Sequence, residues 1–199
     1  MSIVTLVSGG IDSSIMVLLA KKEGITQYPL FIDYGQLGKE KELNACRTIH
    51  AAYGLPDPVV LPLAGFGKVI PSGLTDKRKD IFADAFLPGR NLLFLLAGAA
   101  YAYQANAHAV AIGLLSEEAH LFPDQTVQFL MQAESMLSVC MGRNIRIIAP
   151  LMKFYKSDVL ELAKNYGLTG TYSCHSGQDE PCRVCVSCRE LFSTQRKEE

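Results

Sequence analysis

The sequence carries no surplus of charge in either sense: 19 lysines and arginines face 20 aspartates and glutamates, for a net charge of −1. That excludes a protein that grips nucleic acid chiefly through the phosphate backbone, and no direct nucleic-acid partner is expected. Long apolar runs are also missing. The longest, Leu92 to Tyr103, falls well short of the ~20 residues a membrane helix needs, and reads as a buried core helix. The opening run SIVTLVSGG is strand-like and does not resemble a signal peptide, so a soluble, cytoplasmic protein with no membrane partner is expected. Tryptophan is absent, and there are no repeats or low-complexity tracts. With 49% hydrophobic and 20% charged residues, the composition excludes disorder as the main state. The 199 residues suffice to bury a core without disulfide staples, and fit one domain spanning 1–199.

Short β-branched runs alternate with helical stretches. Strands are expected at 2–8, 27–35, 57–63, 108–115 and 144–151, and helices at 13–24, 39–54, 91–104, about 125–141 and about 156–166. Gly65 to Gly89 is polar and punctuated by glycine and proline, which predicts a long loop or flap over a site. The tail from Tyr172 onward reads as loop. Alternating β and α units predict a doubly wound, mostly parallel α/β sheet, with ligands at the carboxyl ends of its strands. Cys46 and Cys140 lie on apolar helical faces and are expected to be buried core thiols. The apolar helix faces would suit a homodimer.

The end of the first strand is where such a sheet holds its ligand, and it reads SGGIDSS. Gly9 and Gly10 allow close backbone approach to an anion, Ser8, Ser13 and Ser14 offer hydroxyls, and the helix that follows presents free N–H groups. Asp12 would repel phosphate unless it holds a magnesium ion or anchors the loop by accepting backbone N–H bonds. The string lacks the Lys-Ser/Thr of the Walker loop and the spacing of the dinucleotide fingerprint.

Four of the six cysteines crowd into the last 26 residues, as C-x7-C-x2-C-x2-C at Cys174, Cys182, Cys185 and Cys188. Four thiolates can close a tetrahedral zinc shell, making 172–190 a zinc-binding element with a structural role. An iron–sulfur cluster is the rival, but Arg189 stands where ferredoxin-like runs usually carry proline. His175 reads as a bystander to the metal.

SGGIDSS resembles the signature of the PP-loop ATP pyrophosphatases, of the adenine nucleotide α-hydrolase-like fold. Together with the cysteine spacing, the chain resembles the 7-cyano-7-deazaguanine synthase family over almost its whole length. FIDYGQLGKEKELNAC, LPGRNLLFLLAGAAYA, PLMKFYKSDVLELAKNYGL and TYSCHSG each look like a segment of that family. The resemblance implies an ATP-dependent carbon–nitrogen ligase. It would adenylate a 7-carboxy-7-deazaguanine carboxylate, release pyrophosphate and AMP, and use ammonia to form an amide and then a nitrile. The implied cofactors are Mg2+ with ATP and structural Zn2+. The implied ATP contacts are Val7, Ser8, Gly9, Gly10, Ile11, Asp12, Ser13, Ser14, Asp33, Tyr34 and Gln36. Asp12, Ser13, Arg90 and Lys156 are the implied catalytic residues, and Arg90, Asn91, Glu117 and Asp124 the implied substrate contacts.

Some readings also follow from the residues alone. An arginine beside a helix N-terminus suits a carboxylate or an α-phosphate, which favours Arg90 as a binder. Lys156 opens a helix, where the dipole disfavours a cation, so an anionic ligand would rationalise it. Asp33 could cap a turn, and Lys39 and Lys41 read as a solvated helix face. The family pattern is broken where a tyrosine-rich segment ends in P-D-C-R. Pro123 and Asp124 match, Gln125 and Thr126 replace the last two residues, and Tyr172 stands where a tryptophan is usual. A divergent relative of the bacterial defence type, adenylating a deazaguanine carboxylate to form an amide or a conjugate with another amine such as one on a protein, is the alternative. A non-catalytic nucleotide-binding module is the second.

Overall fold

The computed structural model describes residues 1–116, 118 and 121–195. Glu117, one of the expected substrate contacts, lies outside the described residues. In chain order the elements are β1 (Ser2–Val7), α1 (Ile11–Lys22), β2 (Thr26–Asp33), α2 (Lys39–Ala52), β3 (Val59–Pro62), α3 (Ala64–Val69) and α4 (Arg90–Gln104). They continue with β4 (Ala109–Ala111), α5 (Val127–Met141), β5 (Arg146–Ile148), α6 (Lys156–Asn165) and α7 (Val186–Gln195). The strands form one sheet in the order β3-β2-β1-β4-β5, every neighbouring pair parallel.

Side chains that alternate along β1 explain why both faces are covered. Val4 and Leu6 point to one face, where they join Leu30 and Ile32 of β2 against Leu95 and Ala99 of α4 and Leu130 and Leu137 of α5. Ile3 and Val7 point to the other, with Phe31, and meet Ile15 and Met16 of α1, Leu43 and Cys46 of α2, and Val159 of α6. Burying each such side chain fully contributes roughly 1.5–3 kcal/mol. The doubly wound parallel sheet expected from the alternation is therefore present.

Chain order reverses between β1's two neighbours, β2 and β4, so a crevice opens at the carboxyl ends of β1 and β4. Gly9 sits at this point with φ of +74°, and a Cβ there would stand 2.3 Å from the Glu42 carbonyl oxygen and 2.7 Å from the Cys46 nitrogen. Only glycine permits both the backbone conformation and the approach of α2.

Several boundaries differ from expectation. β4 and β5 keep only three ladder residues each, because β4 is paired with β1 over Ile3–Thr5 alone. Past Ala111 the chain leaves the ladder toward the crevice. The 65–89 segment, expected to be wholly loop, starts within the short helix α3. The tail, also expected to be loop, contains α7, whose first turns carry the last cysteine. Cys46 is buried as expected, but Cys140 is exposed. It sits near the C-terminal end of α5, past the last residue of that helix buried in the core, Leu137.

Candidate active site

The crevice holds a cavity of about 270 Å³, walled by the first turn, the end of β2, the start of α4 and the cysteine-bearing tail. The β1–α1 turn is held open by its own hydroxyls. The Ser8 backbone N–H donates to Ser13 Oγ at 3.2 Å, and Ser13 Oγ and Ser14 Oγ donate to the Gly10 carbonyl at 3.1 and 2.8 Å. Gly10 itself supplies no cap, so the positive dipole end of α1 borders the crevice, an arrangement able to attract an anion. The tail braces this turn from outside: the Tyr172 N–H donates to the Gly9 carbonyl at 2.9 Å, and the Ile11 N–H to Ser173 Oγ at 3.4 Å.

Asp12, on the first turn of α1, meets Lys156, the first residue of α6. Lys156 Nζ lies 2.8 Å from both Asp12 carboxylate oxygens and 3.6 Å from Glu190 Oε2 of α7. The sequence suggests an anionic ligand for Lys156 and a magnesium ion or backbone donors for Asp12; in the structure each takes the other. Burial raises the Glu190 carboxyl pKa and Asp12 adds to the rise, while Lys156 pulls it back. Three elements far apart in sequence are thereby joined through one ammonium group.

On the opposite wall, Arg90 opens α4 after Gly89, whose φ is +74°. Its guanidinium lies 5.8 Å from the Tyr34 ring centroid and 5.7 Å from that of Phe94. It contacts Asn91 Oδ1 at 3.4 Å and forms no ion pair with any carboxylate of the described residues. Asn91 and Asp124 engage each other: the Asn91 backbone N–H donates to Asp124 Oδ2 at 3.4 Å, and Asn91 Nδ2 donates to the Asp124 carbonyl at 2.9 Å. Asp124 thus braces the helix start and does not line the cavity, where Gln125 stands instead.

The end of β2 supplies a fixed polar frame. Gln36 Oε1 accepts from the Tyr34 N–H at 3.0 Å, and its Nε2 donates to the Ile32 carbonyl at 3.2 Å and to Glu42 Oε2 at 3.1 Å. Burial pushes the Tyr34 phenol up to about 12. Asp33 does cap a turn, accepting from the Gly35 N–H at 3.0 Å, and pairs with Lys39 at 3.1 Å. Lys39 and Lys41 keep solvent-accessible side chains, as expected of a solvated helix face, and each also meets an acid, the second Asp179.

Of the expected ATP contacts, Val7, Ser8, Gly10, Asp12, Ser13, Tyr34 and Gln36 line the cavity, as do Arg90 and Asn91. Gly9, Ile11, Ser14 and Asp33 sit behind that wall and shape it through the contacts given above, and Lys156 reaches it through Asp12 and Glu190. Glu42, His175 and Glu190 also line the cavity and were missed. A signal existed for Glu42: it stands four residues before Cys46, on the buried face of α2. His175 is held neutral, its pKa brought down to about 4 by burial and then by the Arg90 and Lys156 charges; its Nδ1 is buried without a hydrogen-bond partner.

Below this wall the sulfurs of Cys174, Cys182, Cys185 and Cys188 all lie within 4.8 Å of one another. Sulfurs about 2.3 Å from a tetrahedral zinc would be about 3.8 Å apart, so the set fits such an ion. Backbone N–H groups of Cys182, Cys185 and Cys188 point at Cys174, Cys182 and Cys185 sulfurs at 3.3, 3.4 and 3.4 Å, the pattern that stabilises thiolates. At Cys174 burial opposes ionisation, but the Cys182 N–H and the Ser176 hydroxyl and N–H outweigh it and bring the thiol down to about 6. The four cysteines form a cluster able to hold a metal, and His175 is not among its members.

The family model described as "Queuosine biosynthesis protein QueC" matches residues 2–195. The chain belongs to the QueC family. It is 32% identical to the 7-cyano-7-deazaguanine synthase of Nautilia profundicola over 198 residues, covering 94% of this chain and 89% of that one. The corresponding enzyme of Prochlorococcus marinus is also 32% identical, over 94% of this chain and 90% of its own. Among solved structures, the QueC-family chain is similar to a predicted subunit of tRNA methyltransferase from Methanocaldococcus jannaschii. That match has a TM-score of 0.56 at 20% identity, covering 82% of this chain and 74% of that one. The U34-tRNA thiolase NcsA of Methanococcus maripaludis, with its [4Fe-4S] cluster, gives a TM-score of 0.55 at 15% identity, over 100% of this chain and 65% of that one. The fold is that of the PP-loop enzymes, and membership of the QueC family makes the chain an ATP-dependent ligase. No helix among the described residues is long and apolar enough to cross a membrane.

Proposed function

We propose that the chain acts as one domain that converts a 7-carboxy-7-deazaguanine carboxylate to its nitrile, through adenylation by ATP and amination by ammonia. The observation that carries this reading is Arg90: a guanidinium packed against two adjacent aromatic rings, paired with no carboxylate of the described residues, in the same cavity as the turn at the start of α1. A bidentate arginine is the group of choice for a substrate carboxylate.

A carboxylate is a poor electrophile until one oxygen becomes a good leaving group. With pyrophosphate cradled by Ser8, Gly10, Ser13 and the α1 N-terminus, the α-phosphorus faces Arg90 across the cavity. The substrate carboxylate attacks phosphorus and pyrophosphate leaves. Ammonia then attacks the acyl carbon and AMP leaves. In a second round the amide oxygen takes the adenylyl group from another ATP, and loss of AMP with the remaining N–H protons gives the nitrile. The protein need only align the reactants and neutralise charge. Asp12 is the carboxylate that would hold the magnesium accompanying ATP, where the ion would offset phosphate charge. Lys156, which pairs with Asp12 here, would then be free to meet the phosphates. Tyr34 and Gln36 form the wall against which a purine-like ring would rest, Asn91 keeps Arg90 at its helix start through Asp124, and Glu117 is retained as a substrate contact. The four cysteines would hold a structural zinc, tying the tail to the β1–α1 turn.

Incubation with MgATP, 7-carboxy-7-deazaguanine and ammonium should release AMP and yield a product of nitrile mass. A product of amide mass, or a protein adduct, would establish the divergent conjugating reaction instead. Absence of AMP release with every acceptor tested would leave neither ligase reading standing and would favour the non-catalytic nucleotide-binding module.

A further inference from the structure

Glu42 is the buried carboxyl in this cavity with the least obvious employment. It is nine-tenths buried on α2 and lines the same cavity as Arg90. Its orientation is determined by Gln36. Because Gln36 Oε1 accepts from the Tyr34 N–H, the other end of that amide must be its donor end, and it donates to the Ile32 carbonyl and to Glu42 Oε2. Oε2 is therefore an acceptor, and any proton on the carboxyl resides on Oε1. No donor from the described residues reaches Oε1. It lies over Gly38, so close that a Cβ there would stand 3.0 Å from it. The charged and titratable groups facing Glu42 are Arg90 from α4, Tyr34 from the end of β2 and Tyr172 from the segment before the cysteines. None of these competes for a proton near neutrality, and Arg90 is the group proposed to hold the reacting carboxylate.

We propose that Glu42 is the catalytic base of the amination half of the reaction, with Oε1 as the proton acceptor. This rests on the adenylation reading above. As ammonia's nitrogen bonds to the acyl carbon, the carbon–oxygen bond to AMP breaks, AMP leaves with the electron pair, and one N–H proton passes to Oε1. In the nitrile half the same oxygen takes a proton from the amide nitrogen as the adenylyl group is added, and takes the last N–H proton as the carbon–oxygen bond breaks and AMP leaves with its electron pair; each proton is passed to solvent before the next arrives. Adenylation of the carboxylate, the first step, transfers no proton and does not need Glu42. Burial, opposed by the Gln36 hydrogen bond and by Arg90, sets the carboxyl pKa at about 7, in the range where a base both loses and regains its proton at working pH.

The test separates the two halves. ATP–pyrophosphate isotope exchange dependent on the deazaguanine carboxylate reports adenylation alone, while amide and nitrile formation with ammonium reports amination. Wild-type protein that shows no such exchange would sink the adenylation reading, whatever Glu42 does. With exchange present, Glu42→Gln is expected to keep it within about threefold and to lose amination by about a hundredfold or more, as expected for removal of a general base. At a fixed concentration of free ammonia, its residual amination should lose the rise around pH 7 that the wild-type rate shows as Glu42 gives up its proton. Unchanged amination, or equal loss of exchange and amination in a variant with a wild-type melting temperature, overturns the assignment. Should the glutamine variant not fold, Glu42→Asp, which keeps the charge on a shorter stem, is expected to lose amination about tenfold with exchange intact; equal rates in both halves overturn it.

Discussion

Lys156 Nζ sits 2.8 Å from both carboxylate oxygens of Asp12, across 144 residues of chain. Its side chain is 11% exposed, against 28% for Asp12, and Glu190 Oε2 at 3.6 Å gives it a second acid. An ammonium placed between two carboxylates beside the α1 N-terminus neutralises acids that would otherwise repel phosphate, and under the proposed function it would itself be drawn to phosphate.

Removing either side of this pair should therefore have unequal effects. Asp12→Ala is expected to abolish AMP release while leaving the fold intact, because Lys156 retains Glu190. Lys156→Gln leaves two acids facing the phosphate site, and should raise the KM for ATP and lower stability by about 2 kcal/mol, the order expected for stranding a partly buried charged partner. Urea unfolding and AMP release measured on both variants check this. Full activity in Asp12→Ala would rule out its place in the cradle.

The cysteine cluster reaches the active-site turn through two backbone contacts, Tyr172 N to Gly9 O and Ile11 N to Ser173 Oγ. Losing a metal from the cluster should loosen both. Treatment with a strong chelator is expected to release about one zinc per chain, to lower the melting temperature and to weaken ATP binding in parallel. Elemental analysis and thermal melts measure the first two. Stability unchanged after complete metal removal would refute a structural role.

Leu95 of α4 is fully buried against β1 and α5, one turn from the helix start that carries Arg90. Leu95→Ala should cost about 2–5 kcal/mol through lost transfer energy and the cavity left behind. Because the cavity would open beneath α4, the same variant should bind the carboxylate substrate more weakly. A midpoint of urea unfolding equal to that of the wild type would show that the helix is held by other contacts.

The sheet and the first turn were legible in the sequence because they rest on local signals. Alternating β-branched runs mark β1 and β2, and SGGIDSS follows β1 directly, so strand, cradle and helix are read from one continuous stretch. The cysteine spacing worked for the same reason. What was not legible depends on partners distant in sequence. Nothing near Lys156 reveals that Asp12 will face it, so the acid that the chain itself supplies to this lysine does not show in the sequence. Asp124 looked like a substrate contact and turned out to hold Asn91. The helix α7 was hidden because Cys185 and Cys188 were read for their sulfurs and not for the turn of helix that brings Glu190 to the cavity. Glu42 was masked by its neighbours, since an acid within KEKEL looks like one more surface charge.

That buried acid also makes stability depend on pH in a direction opposite to the usual carboxylate. Its folded pKa of about 7 lies above the ordinary 4.5, so between those values the native state holds a proton that the unfolded chain has released. The contribution of Glu42 is fully present below 4.5, and is lost as pH rises through 7. Glutamine does not titrate, so wild-type stability measured against Glu42→Gln should fall by on the order of 3 kcal/mol between pH 4.5 and 8 and stay level beyond. Urea unfolding of both proteins at half-unit pH steps gives the difference directly. Parallel curves across that window would mean that Glu42 is ionised in the folded protein well below neutrality, and that the desolvation argued for its side chain is relieved by water.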